Sequence, residues 1–257
     1  MGDFKRARPV QAVIKILMIG GPQVPNGRWE SSGYKFKTEI LRYAQNDIMN
    51  IPIAKEGYMF ILPLGVLAIL FWALLLPWVA AFFGLGFLFV TWFFRDPERP
   101  IPNEPNVVVS PADGKVVEII SEKDPILGET CTRISIFLSV FNVHVNRVPI
   151  GGTIEETRYN PGKFLAAFNH KASLDNEQNV ILINNGRVNV LVKQIAGLIA
   201  RRIICWANKG DTYELGQRYG LIRFGSRVDI LLPENSKLSV ACGDKVSGGR
   251  SVIGYLN

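Results

Sequence analysis

Two uncharged apolar runs dominate the first hundred residues. Tyr58 to Leu76 reads YMFILPLGVLAILFWALLL, and Trp78 to Phe94 reads WVAAFFGLGFLFVTWFF. Each approaches the ~20 residues that cross a bilayer as a helix. Neither shows the polar face of a helix on a soluble core. Pro77, at the join, breaks a continuous helix. The pattern therefore predicts a membrane hairpin over residues 49–94, spanning or re-entrant. Trp78 and Trp92 suit interfacial positions. Lys35, Lys37, Arg42 and Lys55 precede the hairpin, and Arg95 and Arg99 follow it. Basic flanks on both sides put both ends, and whatever follows, on the cytoplasmic face of the cell membrane.

After Phe94 the pattern changes. RDPERPIPNEP is charged and proline-rich, so residues 95–106 read as a linker. From Val107 onward the chain is a series of short Val- and Ile-rich runs bounded by Gly, Pro, Asn and Asp. They are VVVS, KVVEII, TRISIFLS, HVNRVPI, NVILINN, RVNVLVKQI, RRIICWA, RVDILLP and KLSVAC. Such runs predict strands. One helix is expected at Lys163–Asn176, carrying His170. The fold class is thus mainly β, a sandwich or barrel over residues 107–257, behind an N-terminal α-helical membrane hairpin. The segments ADGKV and GDKVSGGRSVIG are similar to the paired, lipoyl-like hairpins of lipoyl- and biotin-carrier domains, and KVSGGRSVIG reads as one hairpin. No carrier lysine stands at a recognisable hairpin tip. Residues 1–48 are basic and carry no motif. With Met49 as a second start, they are expected to be an extension or a start-site artefact.

Composition narrows the function. Lys and Arg number 29 against 22 Asp and Glu, a net charge of +7 that fits anionic partners such as lipid headgroups. The basic residues are dispersed, so nucleic acid is not an expected partner. Three scattered cysteines (Cys131, Cys205, Cys242) form neither a disulfide framework nor a zinc site, and with two histidines no metal centre is expected. No glycine-rich phosphate loop opens a helix.

Three places can carry chemistry. In LIRFGSRVDILLP, Gly225–Ser226 joins two strand-like runs. Alone it is a turn dipeptide, but glycine permits strained backbone there, and the hydroxyl could attack the preceding carbonyl. The nucleophile elbow G-x-S-x-G is absent, which disfavours a serine hydrolase. His144, in FLSVFNVHVNRVPIGG, is one of two imidazoles available for acid–base work near neutral pH. Arg147, three positions on, falls on the opposite face of a regular strand. Asp113, in SPADGKVV, is either a turn residue or a carboxylate that orients an imidazole.

In this order SPADGKV, FLSVFNVHVNRVPIGG, QIAGLIARRI and IRFGSRVDILLP resemble the phosphatidylserine decarboxylases, in their short bacterial and archaeal branch. The resemblance covers about residues 49–257. It implies a self-processing proenzyme. Ser226 would attack the carbonyl of Gly225, the resulting ester would eliminate, and hydrolysis would leave a pyruvoyl cofactor where Ser226 stood. That group would condense with the substrate amine and act as electron sink during loss of carbon dioxide. His144 would return a proton to the product, phosphatidylethanolamine. Large and small chains would stay associated and dimerise further. The wider family often has a second histidine where this chain has Arg147. Either His144 therefore serves both steps, or strain and Asp113 suffice for cleavage. Arg147, Arg201 and Arg202 are the candidates for the lipid phosphate or the substrate carboxylate. Two other readings remain open: a decarboxylase for archaetidylserine or another serine lipid, and a membrane-anchored lipoyl-like adaptor without catalysis.

Overall fold

A computed structural model of the chain describes residues 52–162, 176–197, 202–223 and 226–257. The extension at 1–48, the expected helix with His170, Arg201 and Gly225 lie outside the described residues.

The hairpin is two helices, α1 (Tyr58–Ala73) and α2 (Pro77–Phe93), preceded by a 3₁₀ turn at Lys55–Gly57. The first is shorter than its apolar run, and the second matches its run in length, displaced by one residue. The chain leaves α1 at Ala73 and turns through Leu74–Leu76, with Leu75 at a left-handed φ of 59°. Pro77 starts α2, where its missing N–H costs nothing. The helices pack through a Phe71–Phe83 stack at 5.3 Å and through Gly65 against Phe87. Lys55–Ala73, with the 3₁₀ turn, is long and apolar enough to cross a membrane, and α2 is shorter. Most of the apolar surface is exposed: Trp72 is 72%, Leu75 86% and Trp78 88% accessible. A hairpin serving as the core of a soluble domain would bury these residues.

The remainder is mainly β. Its strands are β1 (Val107–Val109), β2 (Gly114–Lys123), β3 (Thr130–Leu138), β4 (Val145–Arg147), β5 (Gly152–Asn160), β6 (Gln178–Asn184) and β7 (Asn189–Ala196). There follow β8 (Ile203–Cys205), β9 (Thr212–Tyr213), β10 (Arg218–Ile222), β11 (Ser226–Pro233), β12 (Lys237–Leu238), β13 (Lys245–Val246) and β14 (Val252–Tyr255). Eight form one curled antiparallel sheet in the order β13-β2-β3-β11-β7-β6-β5-β9. Two three-stranded sheets, β1-β14-β12 and β4-β10-β8, accompany it.

Alternation builds the core. Ile134, Ile136 and Leu138 of β3, Val228, Ile230 and Leu232 of β11, and Ile181 and Ile183 of β6 share one buried cluster. Arg133, Ser135, Arg227 and Asp229 alternate with them on the other face. There Arg227 pairs with the fully buried Asp229 at 2.8 Å. Each strand-like run in the sequence corresponds to a strand, but KVSGGRSVIG is not a hairpin. Its two strands part company: β13 pairs with β2, and β14 pairs with β1 and β12. The pairing that does occur is between the two segments singled out in the sequence, with Lys245 opposite Lys115 and Val246 opposite Gly114. Gly114 is required there, because a Cβ would collide with the Phe137 carbonyl oxygen.

The linker is held in place. Asp96 pairs with Arg218 at 2.6 Å and with Arg147 at 3.4 Å, Glu98 with Arg218 at 2.7 Å, and Arg99 with Asp113 at 2.5 Å.

Candidate functional site

Ser226 is the first residue of β11, the strand at the middle of the large sheet. It lies between Leu138 of β3 and Ala196 of β7. Period-two alternation turns its side chain to the same face as Val228 and Ile230. The residue is fully buried and its hydroxyl has no hydrogen-bond partner among the described residues. A buried, unsatisfied hydroxyl costs roughly 1–3 kcal/mol, so its retention calls for a functional explanation.

His144 immediately precedes β4. Its carbonyl accepts the N–H of Ile222, the last residue of β10, at 3.2 Å. Ser226 follows four residues later, a chain reach of at most about 14 Å. The imidazole is fully buried, and its ring lies 4.2 Å from that of Phe93 at the end of α2. Neither ring nitrogen has a side-chain hydrogen-bond partner among the described residues, and the backbone of Asn142 is the largest polar influence on the ring. Burial pushes the imidazole pKa down to about 4, with smaller effects from Asn142, Arg95 and Asp113. At neutral pH the ring is therefore uncharged and able to accept a proton.

Asp113 makes no hydrogen bond to His144. Arg99 donates to both of its oxygens, at 2.5 and 2.8 Å, and the Gly248 N–H donates at 2.8 Å. Only its charge reaches the imidazole. Asp113 thus fixes the loop before β2 to the linker and to the C-terminal segment, and it does not orient the ring by direct contact.

Arg147 is almost fully buried. Its guanidinium donates to the Gly216 carbonyl at 3.1 Å and the Pro97 carbonyl at 3.0 Å, besides its pair with Asp96. These partners already engage the group expected to hold substrate. Arg202 is exposed.

A buried chain of amides was not foreseen. Asn179 donates to Gln194 Oε1 at 3.1 Å, and Gln194 Nε2 donates to Asn146 Oδ1 at 2.8 Å. This leaves the Asn146 Nδ2 donor fully buried and unpaired. Gln194 opposes Val228 across β7 and β11, on the same face as Ser226. It reaches β4 because Gly220 leaves room: a Cβ there would lie 2.9 Å from Gln194 Nε2. The sequence signal was a lone glutamine in the apolar run VLVKQIAG. Among the described residues no group of His, Cys, Asp and Glu is arranged to hold a metal ion.

A pyruvoyl group would be made from the atoms of Ser226 itself. The surroundings fit an uncharged group of that size, with Leu138 and Ala196 on either side.

A family model described as phosphatidylserine decarboxylase matches residues 87–254. The phosphatidylserine decarboxylase proenzyme of Geotalea uraniireducens (strain Rf4) is 49% identical over 212 residues, covering 80% of this chain and 98% of the relative. That of Geobacter sulfurreducens is 48% identical over 213 residues, with the same shares. That of Cupriavidus metallidurans is 44% identical over 221 residues, covering 81% and 99%.

Proposed function

Because the chain belongs to the phosphatidylserine decarboxylase family and is therefore a carboxy-lyase, we propose that it is a self-processing proenzyme that decarboxylates phosphatidylserine to phosphatidylethanolamine at the membrane surface. The observation that carries this reading is the buried, partnerless hydroxyl of Ser226 at the head of a central strand, directly after Gly225.

Maturation uses this chain's own groups. His144, neutral at pH 7, takes the proton from Ser226 Oγ. The oxygen attacks the Gly225 carbonyl carbon, and the C–N bond to residue 226 breaks as that nitrogen gains the proton. The ester so formed eliminates: a base removes the Cα proton of residue 226, the Cβ–O bond breaks, and the upstream chain leaves with a C-terminal carboxylate. The dehydroalanine takes a proton at Cβ to become an imine, water adds to the imine carbon, ammonia departs, and a pyruvoyl group remains at position 226. This group supplies a carbonyl that accepts the substrate amine and draws in the electron pair released with carbon dioxide. His144 holds the proton that returns to the substrate Cα. The anionic headgroup of the bound lipid favours the protonated imidazole that this second step needs. Arg202, and Arg201 beside it, are the cations assigned to the headgroup.

The hairpin (49–94) keeps the catalytic domain (107–257) at the cytoplasmic surface, where a two-chain lipid can be reached without extraction. Each buried methylene is worth roughly 0.8 kcal/mol, so extraction would be costly. Large and small chains remain one unit, and two such units form a dimer.

Replacement of Ser226 by Ala is the test. The variant is expected to stay a single full-length chain with no decarboxylase activity. Cleavage at this bond in the variant would refute the assignment.

A further inference from the structure

The hairpin meets the site through its last turn. Phe93 and Phe94 are each 1% exposed and form one apolar cluster with Ala54, Val143, Val145 and Leu221. The Phe93 ring lies at 32° to that of His144, 4.2 Å from it. Arg95 follows directly. Its guanidinium donates to the Phe141 carbonyl at 2.8 Å and to the Trp92 carbonyl at 2.9 Å, and it sits 4.1 Å over the Trp92 ring. Trp92 in turn lies 6.1 Å from the Phe141 ring.

The segment so grasped is the turn that delivers His144. Within it, the Ser139 N–H and hydroxyl both donate to Asn142 Oδ1, at 2.9 and 2.7 Å. The two ends of the hairpin are also tied together. Ala54 N–H donates to the Phe94 carbonyl and Asp96 N–H to the Pro52 carbonyl, each at 2.7 Å. Movement of the hairpin base therefore moves Phe93, Arg95 and the turn as one piece.

We propose that the end of the membrane hairpin is part of the reaction machinery: Phe93 and Arg95 are positioning residues that hold the His144 imidazole in place and dry, so that seating of the hairpin in lipid and readiness of the site are one structural event. An anchor alone would need no aromatic face on the imidazole and no arginine on the turn before it. Two flanking charges act on the ring, Arg95 from the hairpin and Asp113 from the loop before β2, the latter neutralised by Arg99. The inference rests on His144 being the base for Ser226.

The experiment follows self-cleavage, which requires no assembled cofactor. Full-length chain is made by cell-free synthesis with anionic lipid vesicles, moved to buffers from pH 4 to 8, and the release of residues 226–257 is timed by mass. For the native sequence the rate is expected to hold down to about pH 5 and then fall as His144 protonates. Phe93→Leu admits water to the ring, and Arg95→Gln frees the turn and removes a positive charge. Each is expected to move the acid limb up by one pH unit or more. Phe71→Leu, which removes an equivalent stacked ring away from His144, is expected to follow the native profile. Acid limbs that coincide with native in both Phe93→Leu and Arg95→Gln would overturn the inference. Should Phe93→Leu fail to fold, Arg95→Gln, a more exposed position, decides alone. His144→Ala cleaving at the native rate would instead overturn the underlying assignment.

Discussion

Burial of the His144 imidazole opposes folding at acid pH, a cost that the proposed catalytic role would account for. Its folded pKa of about 4 lies below the 6.5 of a free imidazole, so between these values the unfolded chain binds the extra proton. Stability is then complete above about pH 6.5 and falls as pH drops towards 4, by roughly 3 kcal/mol at most. His144→Phe should flatten that part of a melting-temperature profile, and an unchanged slope would contradict the burial argument. Asp113 belongs to the same scale. Its carboxylate joins Arg99 of the linker to the Gly248 backbone. Asp113→Ala leaves a mostly buried guanidinium uncompensated and should cost about 3 kcal/mol. The loss should appear as easier release of the C-terminal chain by urea, with cleavage itself retained. Ser226 and His144 stood out in the sequence as candidates because their motifs are contiguous. The Phe93–His144 stack and the Asn179–Gln194–Asn146 chain were not. They join residues 51, 48 and 15 positions apart, and only the folded sheet and the gap at Gly220 bring them together.

Among the elements, the helix pair was read correctly in kind, and too long only at its first helix. Apolar composition continues through Leu74–Leu76, but Pro77 fixes where α2 can begin. A 16-residue helix is about 24 Å long, less than the ~30 Å hydrocarbon core. The turn itself carries no charge and is flanked by Trp72 and Trp78. Leu75→Glu with Trp78→Glu should lower partition into anionic vesicles by at least tenfold, since each lost apolar side chain is worth roughly 1.5–3 kcal/mol. Vesicle flotation measures it, and unchanged binding would show that the tip does not enter lipid. Among strands, the apolar runs announced themselves, whereas β5 did not. In GTIEETRYN only Ile154 is buried, so the strand carries little alternation to read. The β10 strand was hidden by Gly220, which weakens a strand signal in sequence yet makes room for Gln194 in the fold. The hairpin read at KVSGGRSVIG was wrong because local glycine spacing predicts a turn, while pairing depends on which distant strand has a free edge.

At the scale of the molecule, the bond between residues 225 and 226 lies in a place where the sheet survives its loss. The segment after it contains β11 to β14. β11 pairs along its whole length with β3 and from Ser226 to Leu231 with β7, β13 pairs with β2, and β14 with β1. Cutting the chain removes a covalent link and leaves those ladders intact. In the proposed maturation, those ladders would hold both pieces together after the backbone bond is consumed. The measurement that tests this account most directly is intact mass of the purified protein under denaturing conditions. Two species are predicted, one of them residues 226–257, about 3.6 kDa at the mean residue mass of the chain and without a free amino terminus. A single 28.6 kDa chain that nonetheless decarboxylates phosphatidylserine would contradict it.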